Sequence, residues 1–265
     1  MSAVDFSAFV HDLADAAGRA SLPFFRTAIG AADKNAGGAF DPVTEADKAA
    51  EAAMRRLIAA QFPAHGIVGE EFGAQAGEAD YVWTLDPIDG TRAFLCGLPL
   101  WGTLIGLGKR GAPVYGMMSQ PFTRERFYGD GARADWRGPD AQGKIVERKL
   151  VARACASLSE ATLMTTSPHL FEGEAAASFA RVAERCRLVR YGADCYAYCM
   201  LAAGHVDLVI ETGLKSYDIA PLIPIVEGAG GIVTSWDGGS AAQGGSVIAA
   251  GDARLHDIAL RALSA

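Results

Sequence analysis

Apolar residues recur at helical spacing from the start of the chain. Phe6, Phe9, Val10, Leu13, Ala14 and Ala17 fall on one face, which predicts an amphipathic helix ending before Gly30. A loop is expected through Asn35-Ala36-Gly37-Gly38. Thr44 then reads as an N-cap with Asp47 at the third helical position, opening a helix that runs through Met54, Leu57 and Ile58 towards Pro63. Beyond it the period shortens. Runs of β-type residues at 66–69, 81–85, 103–107, 114–118 and 126–128, punctuated by Gly and Pro, predict an antiparallel or mixed sheet.

The second half alternates. Strands at 163–166, 188–191 and 206–211 are interleaved with helices at 174–186 and 195–203. A buried helix at 219–229, stopped by Gly230-Gly231, precedes strands at 232–235 and 247–250 and a closing helix after Arg254. The stretch 129–143, rich in Gly, Asp and Arg, reads as an exposed loop between an N-terminal part (1–143) and a C-terminal part (144–265) of one compact unit.

Composition narrows the partners. The chain has 265 residues, 50% of them hydrophobic, enough for a large core. A net charge of -7 and scattered Lys and Arg disfavour nucleic acid. No apolar run approaches the roughly 18 residues of a membrane span, and the start, MSAVDFSAFVHDLADA, lacks the basic end and apolar centre of a signal peptide. No membrane partner and a cytoplasmic location are therefore expected. Cys96, Cys155, Cys186, Cys195 and Cys199 include no Cys-x-x-Cys pair and read as reduced, mostly buried thiols. The five histidines show no metal-ligand spacing.

The chemistry concentrates in Tyr81-Val-Trp-Thr-Leu-Asp86-Pro-Ile-Asp89-Gly-Thr91-Arg-Ala-Phe94. An apolar strand there runs into two carboxylates, and the three-residue spacing can bring both, with the Ile88 carbonyl, to one side as hard oxygen ligands of the kind Mg²⁺ prefers. Gly90 and Thr91 follow at once and open a helical turn whose backbone N–H groups suit phosphate. Taken singly, Asp47 and Asp218 read as plain helix caps and Glu70-Glu71 as solvated surface.

Together the pieces carry a likeness. Val43-Thr-Glu-Ala-Asp47, Glu70-Glu71, Asp86-Pro-Ile-Asp89-Gly-Thr91, Tyr217-Asp218-Ile219-Ala220 and Glu227-Gly-Ala-Gly-Gly231, in this order, resemble the inositol monophosphatase superfamily across nearly the whole chain. The run through Arg92-Ala-Phe94, with Trp101-Gly-Thr-Leu-Ile105, is similar to its histidinol-phosphate phosphatase branch. The resemblance implies an α+β fold, the layered αβαβα sandwich of the inositol monophosphatase/fructose-1,6-bisphosphatase type, with the active site between the halves.

It further implies two or three Mg²⁺ ions on Glu70, Asp86, the Ile88 carbonyl, Asp89 and Asp218, with Gly90 and Thr91 binding phosphate. Asp47 and Thr91, with Glu70, would activate water for direct attack on a small phosphorylated metabolite, in a homodimer. Asp89, Arg92, Asp194 and Glu211 would meet the organic portion of the substrate. A carboxylate at Asp194, where inositol-type members carry a small residue, points to a cationic group and so to histidinol phosphate. Asp194 reads equally as the N-cap of the helix at 195–203, and Arg92 equally as a surface residue. The competing readings are an inositol-1-phosphate phosphatase, a phosphatase of bisphosphorylated nucleotides, and a metal-binding regulatory scaffold without turnover.

Overall fold

A computed structural model describes residues 6–28, 30, 32–33 and 42–265. The loop expected through Asn35-Ala36-Gly37-Gly38 lies outside the described residues. Helix α1 (Phe6–Ser21) leads through the two-residue pair β1 (Ala32–Asp33) and β2 (Pro42–Val43) to α2 (Glu45–Gln61). An eight-stranded sheet follows. Its members are β3 (Gly66–Gly69), β4 (Gly73–Gln75), β5 (Tyr81–Asp89), β6 (Gly102–Lys109), β7 (Ala112–Gln120), β8 (Glu125–Gly129), β9 (Ala134–Pro139) and β10 (Ile145–Lys149), with the short helix α3 (Thr91–Leu95) between β5 and β6. The spatial order is β10-β9-β8-β7-β6-β5-β3-β4. Every pairing is antiparallel except β3 with β5.

The rest of the chain builds a second sheet and its helices: β11 (Thr162–Thr165), α4 (Glu174–Ala183), β12 (Leu188–Tyr191), α5 (Cys195–Ala202), β13 (Leu208–Leu214), α6 (Ser216–Ile219), α7 (Ile223–Gly228), β14 (Ile232–Ser235), β15 (Gly245–Ala250) and α8 (Ala253–Ser264). This sheet has the order β12-β11-β13-β15-β14.

Strand alternation sorts most of the buried apolar residues into three cores, and a smaller fourth cluster joins Ile88, Phe94 and Trp101 with Phe25 and Ala46. On β6, β7 and β8, Ile105, Met117 and Tyr128 pack with Leu13, Met54 and Ile58 of α1 and α2. Their neighbours Leu104, Met118 and Phe127 face the other way, onto α5 and α7 and onto Val209, Val247 and Ala249 of the second sheet. Leu208, Ile210 and Ile248, on the far face of that sheet, pack with Phe179, Val182, Leu255 and Ala259 of α4 and α8. The result is a five-layer αβαβα sandwich.

Two expectations need correction. The stretch 129–143 is not a loop: β9 crosses it, paired to β8 and β10, and the first sheet runs on to Lys149. Its polar residues are satisfied within the sheet. Asp135 takes a two-pronged pair from Arg133 at 2.6 and 2.7 Å, and Trp136 donates to Glu125 Oε1 at 3.0 Å. Nor is 219–229 one helix. Pro221 and Pro224, which offer no N–H to a preceding turn, divide it into α6 and α7.

That broken helix fits the sheet through missing side chains. Gly106 lies directly opposite Gly116, and Gly116 opposite Gly129, so three glycines line up across β6, β7 and β8. A methyl group on Gly116 would stand 1.8 Å from Pro221 O, and one on Gly129 would stand 2.6 Å from Pro224 O. The helical layer rests on bare backbone here. Gly116→Ala is therefore expected to destabilise the fold by about 2 kcal/mol or more, because the packed layers leave no room to relax. Denaturant unfolding showing a change under about 0.5 kcal/mol would mean that the layers are not in tight register at this point.

Candidate active site

Four separate elements deliver carboxylates to one place. β5 is apolar through Trp83 and Leu85 and ends in Asp86-Pro-Ile-Asp89. Residues three apart on a regular strand face opposite ways, but the register against β6 shifts between Asp86 and Asp89, and the irregularity re-aims one of them. Asp86 Oδ1 accepts the Ile88 N–H at 3.1 Å. β3 runs parallel to β5, and Glu70 follows its end, tied by its N–H to Leu85 O at 3.1 Å.

Asp47 comes from the first turn of α2, where Thr44 donates to its Oδ2 from both the backbone N–H (2.9 Å) and the hydroxyl (2.5 Å). Asp218 comes from the first turn of α6, its Oδ2 accepting the Lys215 N–H at 2.7 Å. Carboxylate oxygens of Asp86, Asp89 and Asp218 lie within 4.8 Å of one another, as do those of Asp47, Glu70 and Glu71.

Burial together with this crowding raises the proton affinity of Asp86, Asp89 and Asp218. Burial, then repulsion from Glu70, Asp89 and Asp218, lifts Asp86 well above the usual carboxylate range. Burial and the neighbouring Asp194 and Asp218 do the same to Asp89. Asp218 is pushed up to about 7, chiefly by burial. Divalent cations are the natural counter-charge: the groups present only hard oxygen donors, in two clusters of three.

A second wall faces these clusters across a cavity of about 270 Å³. Asp89 reaches over to it, its Oδ2 accepting the Cys195 N–H, the first amide of α5, at 2.6 Å. Asp194 stands at the capping position, yet its side chain makes no capping bond and lines the cavity instead. The backbone leading into it is strained, with positive φ at Gly192 (88°), Ala193 (85°) and Asp194 (44°). Burial raises Asp194 to about 6, against the pull of Arg92. Glu211, at 1% exposure, accepts the Thr166 N–H at 2.6 Å through Oε1, and burial raises it to about 8.

The sequence-derived positions converge. Glu70, Asp86, Ile88, Asp89, Asp218, Asp194 and Glu211 all line the cavity, with Gly90, Thr91 and Arg92 at its edge. Gly90 caps α3 with a left-handed φ of 89°, the Thr91 hydroxyl donates to Ile88 O at 3.1 Å, and Arg92 is exposed. Asp47 is fully buried and groups with the half-buried Glu70 and Glu71.

Three residues escaped the sequence reading. Glu71 completes the second carboxylate cluster. Tyr198, on α5, lines the cavity. Glu51, fully buried, accepts the N–H groups of Glu71 (2.7 Å) and Phe72 (3.2 Å) and pairs with Arg55 at 2.7 Å, which fixes the turn carrying Glu70 and Glu71. Glu51 lies four residues after Asp47 on the apolar face of α2, and an acidic residue at that helical position was a readable signal.

An αβαβα sandwich with clustered carboxylates at strand and helix ends defines a metal-dependent hydrolase of phosphate monoesters. The chain belongs to the inositol monophosphatase family, whose profile matches residues 4–265. It is 44% identical over 270 residues to the "Bifunctional phosphatase IMPL2, chloroplastic" of Arabidopsis thaliana, covering 97% of this chain and 75% of that protein. It is 34% identical to a histidinol-phosphatase of Mycobacterium tuberculosis, covering 84% and 85%. Among solved structures, an inositol monophosphatase from Zymomonas mobilis superposes with a TM-score of 0.85 at 41% identity over the whole of both chains. Among the described residues no helix is long and apolar enough to cross a membrane.

Two measurements check the site. In the unfolded chain Asp218 and Glu211 ionise near their ordinary 3.8 and 4.5, so the folded, metal-free protein binds more protons between those values and about 7 and 8. Its stability must then fall as pH rises through that window. Thermal unfolding in chelator is expected to give a lower Tm at pH 8 than at pH 6.5, and saturating Mg²⁺ should reduce the difference. A Tm that climbs over this interval in chelator would contradict the raised values. Glu51→Ala is expected to weaken Mg²⁺ about tenfold to a hundredfold through the turn it positions, read from the Mg²⁺ dependence of activity. An unchanged dependence would separate Glu51 from the site.

Proposed function

We propose that this protein hydrolyses L-histidinol phosphate to L-histidinol and phosphate with Mg²⁺. The observation that carries the reading is the pair Asp194 and Glu211. Both face the cavity, both lie outside the two carboxylate clusters suited to metal, and Asp194 sits on backbone strained to place it there. Two acidic groups beyond those that would hold metal suit a substrate whose organic part carries a positive charge. Histidinol phosphate offers an ammonium and an imidazole. Histidinol-phosphatases from Chlorobaculum parvum, at 33% identity, and Streptomyces coelicolor, at 35%, lend support.

In this reading Glu70, Asp86, the Ile88 carbonyl, Asp89 and Asp218 hold the ions, with Glu71 beside them. When bound, the metal acidifies a water and offsets phosphoryl charge. The residues of the chain do the rest. Gly90 and Thr91 bind the phosphate, Asp47 and Thr91 orient the attacking water and accept its proton, and the second wall fixes the leaving alcohol.

Inositol 1-phosphate is the second reading, favoured by the likeness to the Zymomonas mobilis enzyme over the full length. Phosphate release from the two esters side by side decides between them. Preference for histidinol phosphate, abolished by chelator, is expected; preference for inositol 1-phosphate would overturn the substrate. Asp194→Ala should raise KM for histidinol phosphate by about tenfold or more while moving that for glycerol 2-phosphate, which has no cationic group, by less than about twofold. An equal rise on both would remove Asp194 from recognition.

A further inference from the structure

The second wall holds two polar atoms that the fold leaves unanswered. Glu211 Oε2 has no hydrogen-bond partner among the described residues, and neither does the hydroxyl of Tyr198. Both residues are almost fully shielded, at 1% and 3% exposure, yet both line the cavity that carries the carboxylate clusters. A buried polar atom without a partner is costly, and native structures rarely keep one without a use. Two of them on residues that line the same cavity point to a ligand group that answers both.

The surroundings say what that ligand group must be. Tyr198 lies one helical turn beyond Asp194 on α5, and α5 is held by Asp89 through the Cys195 N–H. The hydroxyl therefore sits in fixed relation to the first wall. Glu211 Oε1 is already engaged by Thr166, which leaves Oε2 for one more bond. A phenol hydroxyl can donate or accept, and a carboxylate oxygen can accept. A ligand group with two polar atoms answers both, and in histidinol phosphate the imidazole is such a group, with one ring nitrogen for the carboxylate oxygen and one for the hydroxyl.

We infer that Tyr198 is a substrate-contacting residue that selects for an imidazole-type ring, holding one ring nitrogen while Glu211 holds the other. Asp194, nearer the rim and within the field of Arg92, is left for the ammonium. This division rests on the reading of the substrate as histidinol phosphate and goes beyond it by assigning the ring to a residue pair. Tyr198 takes no part in the chemical step; it sets which alcohol portion is held in place.

The test compares wild type and Tyr198→Phe on L-histidinol phosphate and on O-phosphoethanolamine, which keeps the phosphoester and the ammonium but has no ring. The variant is expected to lose about tenfold or more in kcat/KM on histidinol phosphate, mostly through KM, and less than about twofold on O-phosphoethanolamine. Its Tm should stay equal to that of wild type or rise, since the deleted hydroxyl supports nothing in the free protein. An equal loss on both esters together with a fall in Tm would make Tyr198 structural and overturn the inference; no loss on either would do the same. Wild-type preference for histidinol phosphate with discrimination unchanged in the variant would remove Tyr198 alone. Wild-type preference for inositol 1-phosphate would take away the ring assignment with the substrate it rests on.

Discussion

The burial and crowding of carboxylates form the constraint on which this site depends. Asp47, Glu70, Glu71, Asp86, Asp89 and Asp218 meet in two adjoining clusters, and folding them together without cations raises the proton affinity of Asp86, Asp89 and Asp218. No single element could hold such a group. The charges come from the ends of β3 and β5 and the first turns of α2 and α6, each side chain fixed by local bonds: Thr44 on Asp47, Lys215 on Asp218, Ile88 on Asp86. The positive ends of two helices offset part of the repulsion. Bound metal would offset the rest, and binding metal and stabilising the fold would then be one event.

Asp89 has a second task that joins the halves of the site. While the Tyr196 and Ala197 N–H groups that a capping Asp194 would take go to the Ala193 and Asp194 carbonyls, Asp89 accepts the Cys195 N–H and so ties the first amide of α5 to the opposite wall of the cavity. The backbone strain at Ala193 and Asp194 lies in the segment that this bond anchors. Strain of this kind persists only where surrounding structure over-determines it. Here the surroundings are the apolar packing of α5 between the two sheets and the hydroxyl of Tyr196 donating to Glu125 of β8. A contact between one aspartate and one amide thus links the carboxylate clusters to the second wall.

The layers hold that spacing because they approach closely. The glycine row across β6, β7 and β8 lets the Pro221–Pro224 backbone lie against the sheet, which brings α6, and Asp218 on it, up to the ends of β3 and β5. Loss of a hydrogen-bonding register at the prolines is accepted in a segment whose apolar residues are nearly all buried.

The sequence by itself determined most elements and singled out the Asp86 and Asp89 pair, because both depend on short-range signals: the alternation in the strands, the helical period of α1 and α2, and acidic residues placed where an apolar run stops; Asp47, Glu70 and Asp218 joined that pair only through the family resemblance. It determined the family for the same reason, since the motifs are contiguous. Tertiary structure decided what depends on distant partners. β9 is polar and reads as loop until β8 and β10 satisfy it. The helix after Asp218 reads as continuous until its two prolines meet the glycine row. Asp194 reads as a cap until the backbone around it turns so that the Ala193 and Asp194 carbonyls take the Tyr196 and Ala197 amides and its side chain lines the cavity. The burial that singles out Glu51 and Tyr198 belongs to no local pattern, because burial is a property of the layers that close around a residue and not of its neighbours in sequence.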